Sequence, residues 1–584
     1  MIKEVYLIFK THLDIGFTDL AQNVVKNYLD NFIPNAIKRG YELRGTDTPY
    51  VWSVGSWILN EALKADKDGT VECAIRDNLI AWHGMPYTSF TESMSAELMD
   101  YALSISANLD ARFGKTTIAA KMSDVPGHTK ALIKPFCKHG IKFLHLGINE
   151  AYPLPDVPPV FRWRNGNDEI IVMYQVGYGK EMAFDDFAIA FGFTIDNTGP
   201  QSVEEIQAIY ADLHARYPDA VIYPATLNDA AKALESIRET LPIVTAEIGD
   251  KWIQNVGTDP KKVSIYKELL RHIEKNGIQA DISDSLLVIP EHTWGADMKT
   301  FFPNYVDYSV EELAKLKDNP HRKLFEQSWQ EKRDCLDKAQ KALGTNYRYE
   351  VIRPDLEDFQ QTPLTDMPFE VSWQLFDRND YMRFLRTCLI PGQDDEWWAR
   401  TWVIMDNIKF ALPKYTGAIY PAHPVEAYKK DGETVIRLLF DEQIAKEQGL
   451  PELFAILIDG MIEIRWFNQK ENRLPQAYWI KLKGFEEDWE IRKIGQWLST
   501  EAIGNPFLMA SDYGVRNKEY EIEAVDSLLV APCGRRMLDY EKGPHQQDLY
   551  FNLYNNTWGC NHPMWYGEDS RFRFKIHPRG KTNK

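Results

Sequence analysis

The chain has 584 residues, 44% of them hydrophobic and 26% charged, with a formal net charge of −18 at neutral pH. The length suits about three domains, the composition is that of an ordinary globular protein, and the negative charge argues against nucleic acid, whose phosphates it would repel. Six scattered cysteines (Cys73, Cys137, Cys335, Cys388, Cys533 and Cys560) form no C-x-x-C pair and fit free thiols better than a disulfide framework.

The chain opens MIKEVYLIFKTHLDIGFTDL. Its apolar run, residues 5–9, predicts a strand and is too short for a signal peptide or a spanning helix. No later apolar run has membrane length, so a cytoplasmic protein without a membrane partner is expected. In an extended backbone alternate residues share a face, so His12 and Asp14 aim an imidazole and a carboxylate at one point. That is half of a zinc site. Standing alone, an H-x-D is more often a hydrogen-bonded histidine beside an acid.

Residues 1–261 alternate short apolar runs with helical spacing, which predicts an α/β catalytic domain with a largely parallel sheet. Strands are expected at residues 5–9, 50–53, 117–120, 143–146 and 170–174, and helices at 19–39, 61–79, 92–113 and 201–217. Residues 262–365 turn helical and charged, through KKVSIYKELLRHIEKNG and SVEELAKLKDNPHRKLFEQSWQEKRDCLDKAQKALG, and predict a small helical bundle with solvated charged faces. From 366 to 584 strand alternation takes over, in FEVSWQLF, AYWIKLKG, WEIRKIG, SLLVAPCG, DLYFNLYNNTW and SRFRFKIHP, and predicts a β-sandwich.

Three further stretches carry chemistry. KMSDVPGHT places Asp124 and His128 around a Pro-Gly turn directly after an apolar strand. LVIPEHTWG ends an apolar run in His292, flanked by Glu291 and Trp294. GFTIDNTGP is a polar loop holding Asp196, downstream of Asp185 and Asp186. Singly they read as an Asp-headed turn, a satisfied half-buried histidine and an ordinary loop.

Together, in this order, these residues resemble glycoside hydrolase family 38, the zinc-dependent retaining α-mannosidases, and in particular a bacterial branch classed as a domain of unknown function (DUF5054-like). LIKPFCKHGIKFLHL, FRWRNGNDEIIVMYQVGYG, YPATLNDAAKALE and FNLYNNTWGCNHPMWYGEDSRFRF extend the similarity over nearly the whole chain. The resemblance implies one Zn2+ per chain held by His12, Asp14, Asp124 and His292, the last from the helical region. It implies Asp124 as catalytic nucleophile and a general acid among Asp185, Asp186 and Asp196, of which Asp196 is taken. His128 would be a ligand or a neighbour of the ligands. The implied fold is multidomain α/β + α + β: a distorted barrel, a helical bundle and a β-sandwich. Lys10 stands where the family commonly has a further His, Pro126 where it has Phe, and an expected Arg is missing in the neighbourhood of Gly147 and Asn149.

A retaining glycosidase needs one ionised and one protonated carboxyl group about 5–5.5 Å apart. A metal beside Asp124 favours its charged form, while a more desolvated Asp196 keeps its proton. Trp57, Trp82, Trp252 and Trp294, with His83, Glu92 and His128, are candidates to line a sugar cleft, though core packing is the simpler role for each indole. The expected activity is exo-hydrolysis of α-mannosides or a related α-linked sugar by a bacterial enzyme. A zinc deacetylase with Asp124 as general base, or a silent carbohydrate-binding protein with a structural zinc, are the other readings. Cobalt or manganese also suit a His2Asp2 set. The sandwich and bundle offer faces for a homo-oligomer.

Overall fold

The computed structural model describes residues 1–149, 155–297, 308–386, 416–484, 488–501, 508–532, 534, 537–538 and 549–580. Cys388 and Cys533 lie outside them, and the other four cysteines are free thiols. The chain forms two compact units. The first comprises Met1–Thr91, Ala96–Ile248 and Pro290–Thr293, and the second comprises Glu92–Ser95, Gly249–Ile289 and Trp294–Lys584. Among the described residues no helix is long and apolar enough to cross a membrane.

The first unit holds β1 (Glu4–Thr11), β2 (Trp52–Gly55), β3 (Ile80–His83), β4 (Ala119–Asp124), β5 (Phe143–Ile148), β6 (Val160–Asn165), β7 (Asp168–Val176), β8 (Met182–Ala183), β9 (Phe187–Thr194), β10 (Val221–Pro224) and β11 (Ile243–Val244). Two sheets form, ordered β3-β2-β1-β9-β8 with β10 also on β1, and β11-β6-β7-β5-β4. The first is parallel except for β8, and in the second only β6 against β7 is antiparallel. β1 lies between neighbours on both edges and is buried on both faces from Leu7 to Thr11, so its apolar residues Leu7, Ile8 and Phe9 run on without alternation.

The expected distorted barrel is therefore two sheets. Their edge strands β3 and β4 meet through Gly84 N–H donating to Ala119 O at 2.8 Å rather than through a ladder. Helices flank the strands, as parallel connections require. One helical run, Ala21–Asn27, Tyr28–Phe32 and Ile33–Glu42, carries a π turn in its middle. Val203–Arg216 starts on a capping box, in which Ser202 and Glu205 satisfy each other's backbone N–H groups.

Several boundaries differ from expectation. The helix expected over 61–79 is two helices, Ser56–Ala65 and Thr70–Arg76, because Gly69 takes a left-handed φ of 77° and Asp68 Oδ1 accepts from Thr70 N–H. The strand expected at 117–120 starts at Ala119, since Thr117 spends its N–H and hydroxyl on Asp110. The polar loop expected over 192–200 begins as the end of β9. In that strand, FAIAFGFT, small Ala and Gly residues dilute the β-branched signal that marks a buried strand.

The second unit is antiparallel in its sheets. One has ten strands, with Met461–Phe467 beside Ser570–Pro578 at its centre. The other has six, with Phe369–Leu375, Gln476–Leu482 and Leu549–Asn555 adjacent. Side chains of both sheets, among them Trp373, Trp466, Tyr478, Phe551 and Phe572, share one buried core. The helices Pro260–Asn276 and Pro320–Ala342 belong to the same unit and begin on side-chain caps from Asp259 and Asn319, each followed by proline in the first turn.

Candidate active site

Parallel strands deliver side chains from their C-terminal ends, and the first unit gathers chemistry at those ends. His12 and Asp14 follow β1, Asp124 ends β4, Asn149 follows β5, Tyr178 follows β7, and Asp196 and Asn197 follow β9. The segment Pro290–Thr293 pairs Glu291 with Ser89 in a single bridge and brings His292, whose N–H reaches Thr88 O.

Four side chains converge. His12 Nε2 lies 3.1 Å from Asp14 Oδ1 and 3.1 Å from His292 Nε2. His292 Nε2 lies 3.0 Å from Asp14 Oδ1 and 3.5 Å from Asp124 Oδ2. Asp196 joins His12 and Asp14, the three offering ligand atoms within 4.8 Å of one another. His12, Asp14 and His292 are buried.

The donor chemistry fits a cation. His12 Nδ1 faces Ser123 Oγ at 2.8 Å, and His292 Nδ1 faces Glu291 Oε1 at 2.9 Å. Lys121 Nζ also donates to Ser123 Oγ at 3.3 Å, and the serine hydroxyl can exchange a hydrogen bond with His12 Nδ1 in either direction. In the tautomer that carries its proton on Nδ1, each ring offers its Nε2 lone pair toward the other ring and the carboxylate oxygens, the arrangement a metal ion needs. Positive charge stabilises such a set, and either a proton on His292 or a bound cation supplies it. Four ligands about 2.1 Å from one ion stand about 3.4 Å apart at tetrahedral angles; the contacts of His12 and His292 with each other and with Asp14, and of His292 with Asp124, are 3.0–3.5 Å, and His12, Asp124 and His292 offer ligand atoms within 4.8 Å of one another. Asp14 Oδ2 is buried with no partner, a further free donor.

The electrostatics separate the carboxyl groups. Burial pushes Asp196 up to about 7, helped by the charges of Asp14 and Asp124 against that of His12. Burial also disfavours charge on Asp14 and Asp124, but the two histidines outweigh it and hold both below the usual carboxylate range. Burial opposes protonation of His292, and Asp124, Asp14 and Glu291 overcome it and push that imidazole well up. A bound cation would favour the ionised form of every carboxylate here.

Backbone strain collects at the same place. Phe17, Asp124, Tyr178 and Asn197 have φ of 63°, 76°, 62° and 51°, four of the ten non-glycine residues in the left-handed region among those described. Asn197 was not read from the sequence, although its Asn-Thr-Gly turn was the signal. Its Oδ1 accepts from Asp14 N–H at 3.0 Å, its Nδ2 donates to Asp14 O, Gly16 O and Thr18 Oγ1, and its own N–H reaches His12 O. Tyr28, in the π turn, donates to His12 O at 3.2 Å. Asn149 and Tyr178 both donate to Asp124 Oδ1, at 3.0 and 2.5 Å.

The remaining candidates scatter. Asp185 and Asp186 precede β9 while Asp196 follows it, so roughly 23 Å of strand separates them. His128 is buried, with Nδ1 3.2 Å from Thr91 Oγ1 and Nε2 unpartnered, and burial pulls it down to about 3. His83 lines a pocket with Thr11, His12, Tyr87, Thr88 and Lys121. Trp57 packs edge-on against Tyr87, and Trp82 lies tilted against Phe113. Glu92, Trp252 and Trp294 fall in the second unit. There Glu92 is fully buried, 2.8 Å from Lys493 Nζ and accepting from Asp250 and Ala510 N–H. Trp252 lies against Trp558, and Lys262 Nζ sits 3.0 Å above the Trp294 ring. Lys10 is buried, with Nζ donating to Tyr178 O, and the Pro126 carbonyl accepts from Tyr174.

A family model described as a domain of unknown function (DUF5054) matches residues 256–368. No curated protein sequence matches the chain. Among solved structures, an alpha-mannosidase from Enterococcus faecalis V583 is similar with a TM-score of 0.59 and 9% identity, over 99% of this chain and 87% of that one. A protein in the glycosyl hydrolase family 38 from Enterococcus faecalis is similar with a TM-score of 0.56 and 9% identity, over 100% of this chain and 87% of that one. The resemblance read from the sequence is thus borne out, and at this identity what the two structures share with the chain is the fold.

Proposed function

We propose, from a fold shared with glycosyl hydrolase family 38, that this chain is a zinc-dependent retaining glycoside hydrolase releasing a terminal α-linked sugar, mannose or a close relative. The observation that carries the reading is the convergence of His12, Asp14, Asp124 and His292, with His292 Nε2 3.0 Å from Asp14 and 3.5 Å from Asp124, and with the carboxyl of Asp196 beside them, which burial favours in its neutral form. Zinc held by those four residues would supply a Lewis acid able to orient sugar hydroxyl groups.

The chain's own groups divide the rest. Asp196 donates its proton to the glycosidic oxygen as that C–O bond breaks, and Asp124 attacks the anomeric carbon to form a glycosyl ester. Asp196, now ionised, then takes a proton from water, whose oxygen attacks the same carbon and returns Asp124 to carboxylate. Asn197 and Tyr28 hold the His12–Asp14 backbone in place for both steps. Cytoplasmic residence and the three-part division at 262 and 366 belong to the same proposal.

The test is metal analysis joined to a screen of aryl α-glycosides with wild type and Asp124→Asn. One zinc per chain and release of an α-sugar by wild type alone is the expected result. Acetate released from acetylated sugars without any reducing sugar would turn the reading to a deacetylase, and protein purified without chelators that carries no metal would reject it.

A further inference from the structure

We infer that Tyr178 is a positioning residue for Asp124 whose hydroxyl drives the second half of the reaction, the release of Asp124 from the sugar. This rests on the glycosidase reading above. The phenol oxygen stands 2.5 Å from Asp124 Oδ1, with Asn149 Nδ2 donating to the same oxygen at 3.0 Å.

The fold goes to some length to hold that hydroxyl there. Tyr178 sits in the left-handed region at φ 62°, between Gly177 at 67° and Gly179 at 121°. Its carbonyl takes a hydrogen bond at 2.5 Å from Lys10, a lysine fully buried at the end of β1. Its ring stacks on Phe193 with centroids 5.0 Å apart and planes 11° from parallel. On β5, Gly147 leaves the space, since a Cβ there would stand 2.4 Å from Tyr178 O. A strained aromatic residue clamped from three strands is costly to build, and packing alone does not require its hydroxyl to end on a carboxylate.

A hydrogen bond to an ionised acceptor is roughly twice as strong as one to a neutral acceptor. Asp124 is ionised before attack and neutral as the glycosyl ester, so the Tyr178 bond weakens when the ester forms and strengthens when it breaks. In the breaking step the C–O bond to Asp124 gives its electron pair to the carboxylate, water oxygen bonds the anomeric carbon, and Asp196 takes the water proton. Tyr178 therefore speeds release and slightly opposes attack, whichever carboxylate oxygen carries the sugar.

The experiment is Tyr178→Phe in the full chain, assayed with an aryl α-glycoside bearing a good leaving group. kcat should fall about tenfold while KM falls with it, leaving kcat/KM undiminished. A burst of one aryl alcohol per chain should precede the steady state, and quenched protein should carry one glycosyl unit. Zinc content should equal that of wild type. Replacing Tyr178 by 3,5-difluorotyrosine, a stronger donor of the same shape, should move kcat the opposite way and covers the case in which the phenylalanine variant fails to fold. A parallel fall of kcat and kcat/KM without a burst, or fluorinated protein identical to wild type, overturns the inference while the glycosidase reading stands. Wild type that cleaves no aryl glycoside overturns both.

Discussion

Replacing Asp196 by Asn should make the metal-free protein more stable above neutral pH while abolishing proton donation. Burial and the Asp14 charge push the Asp196 carboxyl up to about 7, from 3.8 when it is free in water. Between those values the folded chain keeps a proton that the unfolded chain has released, so stability falls as pH rises through the window. A gap of about three units at 1.36 kcal/mol each amounts to a loss of about 4 kcal/mol, complete above about pH 7 and absent below about pH 4. Asparagine never ionises and escapes the penalty. Urea unfolding of chelator-treated wild type and Asp196→Asn, followed by tryptophan fluorescence from pH 4.5 to 8.5, measures it. The two midpoints should nearly coincide at the acid end and separate steadily with pH, and added zinc should narrow the separation by stabilising the wild-type carboxylate. A difference that does not change with pH, or no difference at pH 8, would refute the burial argument.

Three further outcomes follow from the same geometry. His292→Ala removes one of the four converging atoms, and elemental analysis should find zinc falling from one per chain to near none; full retention would break the proposed ligand set. Ser123→Ala removes the hydroxyl 2.8 Å from His12 Nδ1, and competition with a chromogenic chelator should show zinc bound about 10–100-fold more weakly, with activity restored at excess zinc. Gly199→Ala puts a Cβ 2.5 Å from the Phe32 ring at a φ of +79° and should destabilise by about 1–3 kcal/mol, read as a lowered thermal midpoint that Phe32→Ala partly restores.

The ligand-type residues were legible because each lies at a strand end or a turn that sequence patterns mark: His12 and Asp14 after an apolar run, Asp124 before Pro126-Gly127, His292 after an apolar run ending at Pro290. Asp196 was legible only as one of three acids. Choosing among them needed β9, whose length carries Asp185 and Asp186 to its far end, and that strand was hidden by its alanines and glycine. The roles of Ser123, Asn149 and Tyr178 escaped notice because their partners lie 111, 25 and 54 positions away, and no local pattern announces a hydrogen bond between strand ends. Glu92 misled for the same reason. In sequence it is an acid among aromatics, while in the fold its partners come from residues 250, 493 and 510.

The π turn at Tyr28–Phe32 makes the site sensitive to the number of residues in the helical run that carries it. A π turn is one residue inserted into an α-helix, and each residue advances the helix by about 100°. Here the extra residue sets the angular phase at which Tyr28 meets the His12 carbonyl and Phe32 meets Gly199. Deleting Leu29 or Asn31 would yield a more regular helix, with better backbone hydrogen bonding and no lost charge. It would also swing one half against the other, withdrawing either the phenol or the ring from the loops that carry Asp14 and Asp196. Substitution scans would pass over this, because single side chains there can change without altering the count. Single-residue deletions and insertions across 21–42 are the perturbations to which this architecture is tuned.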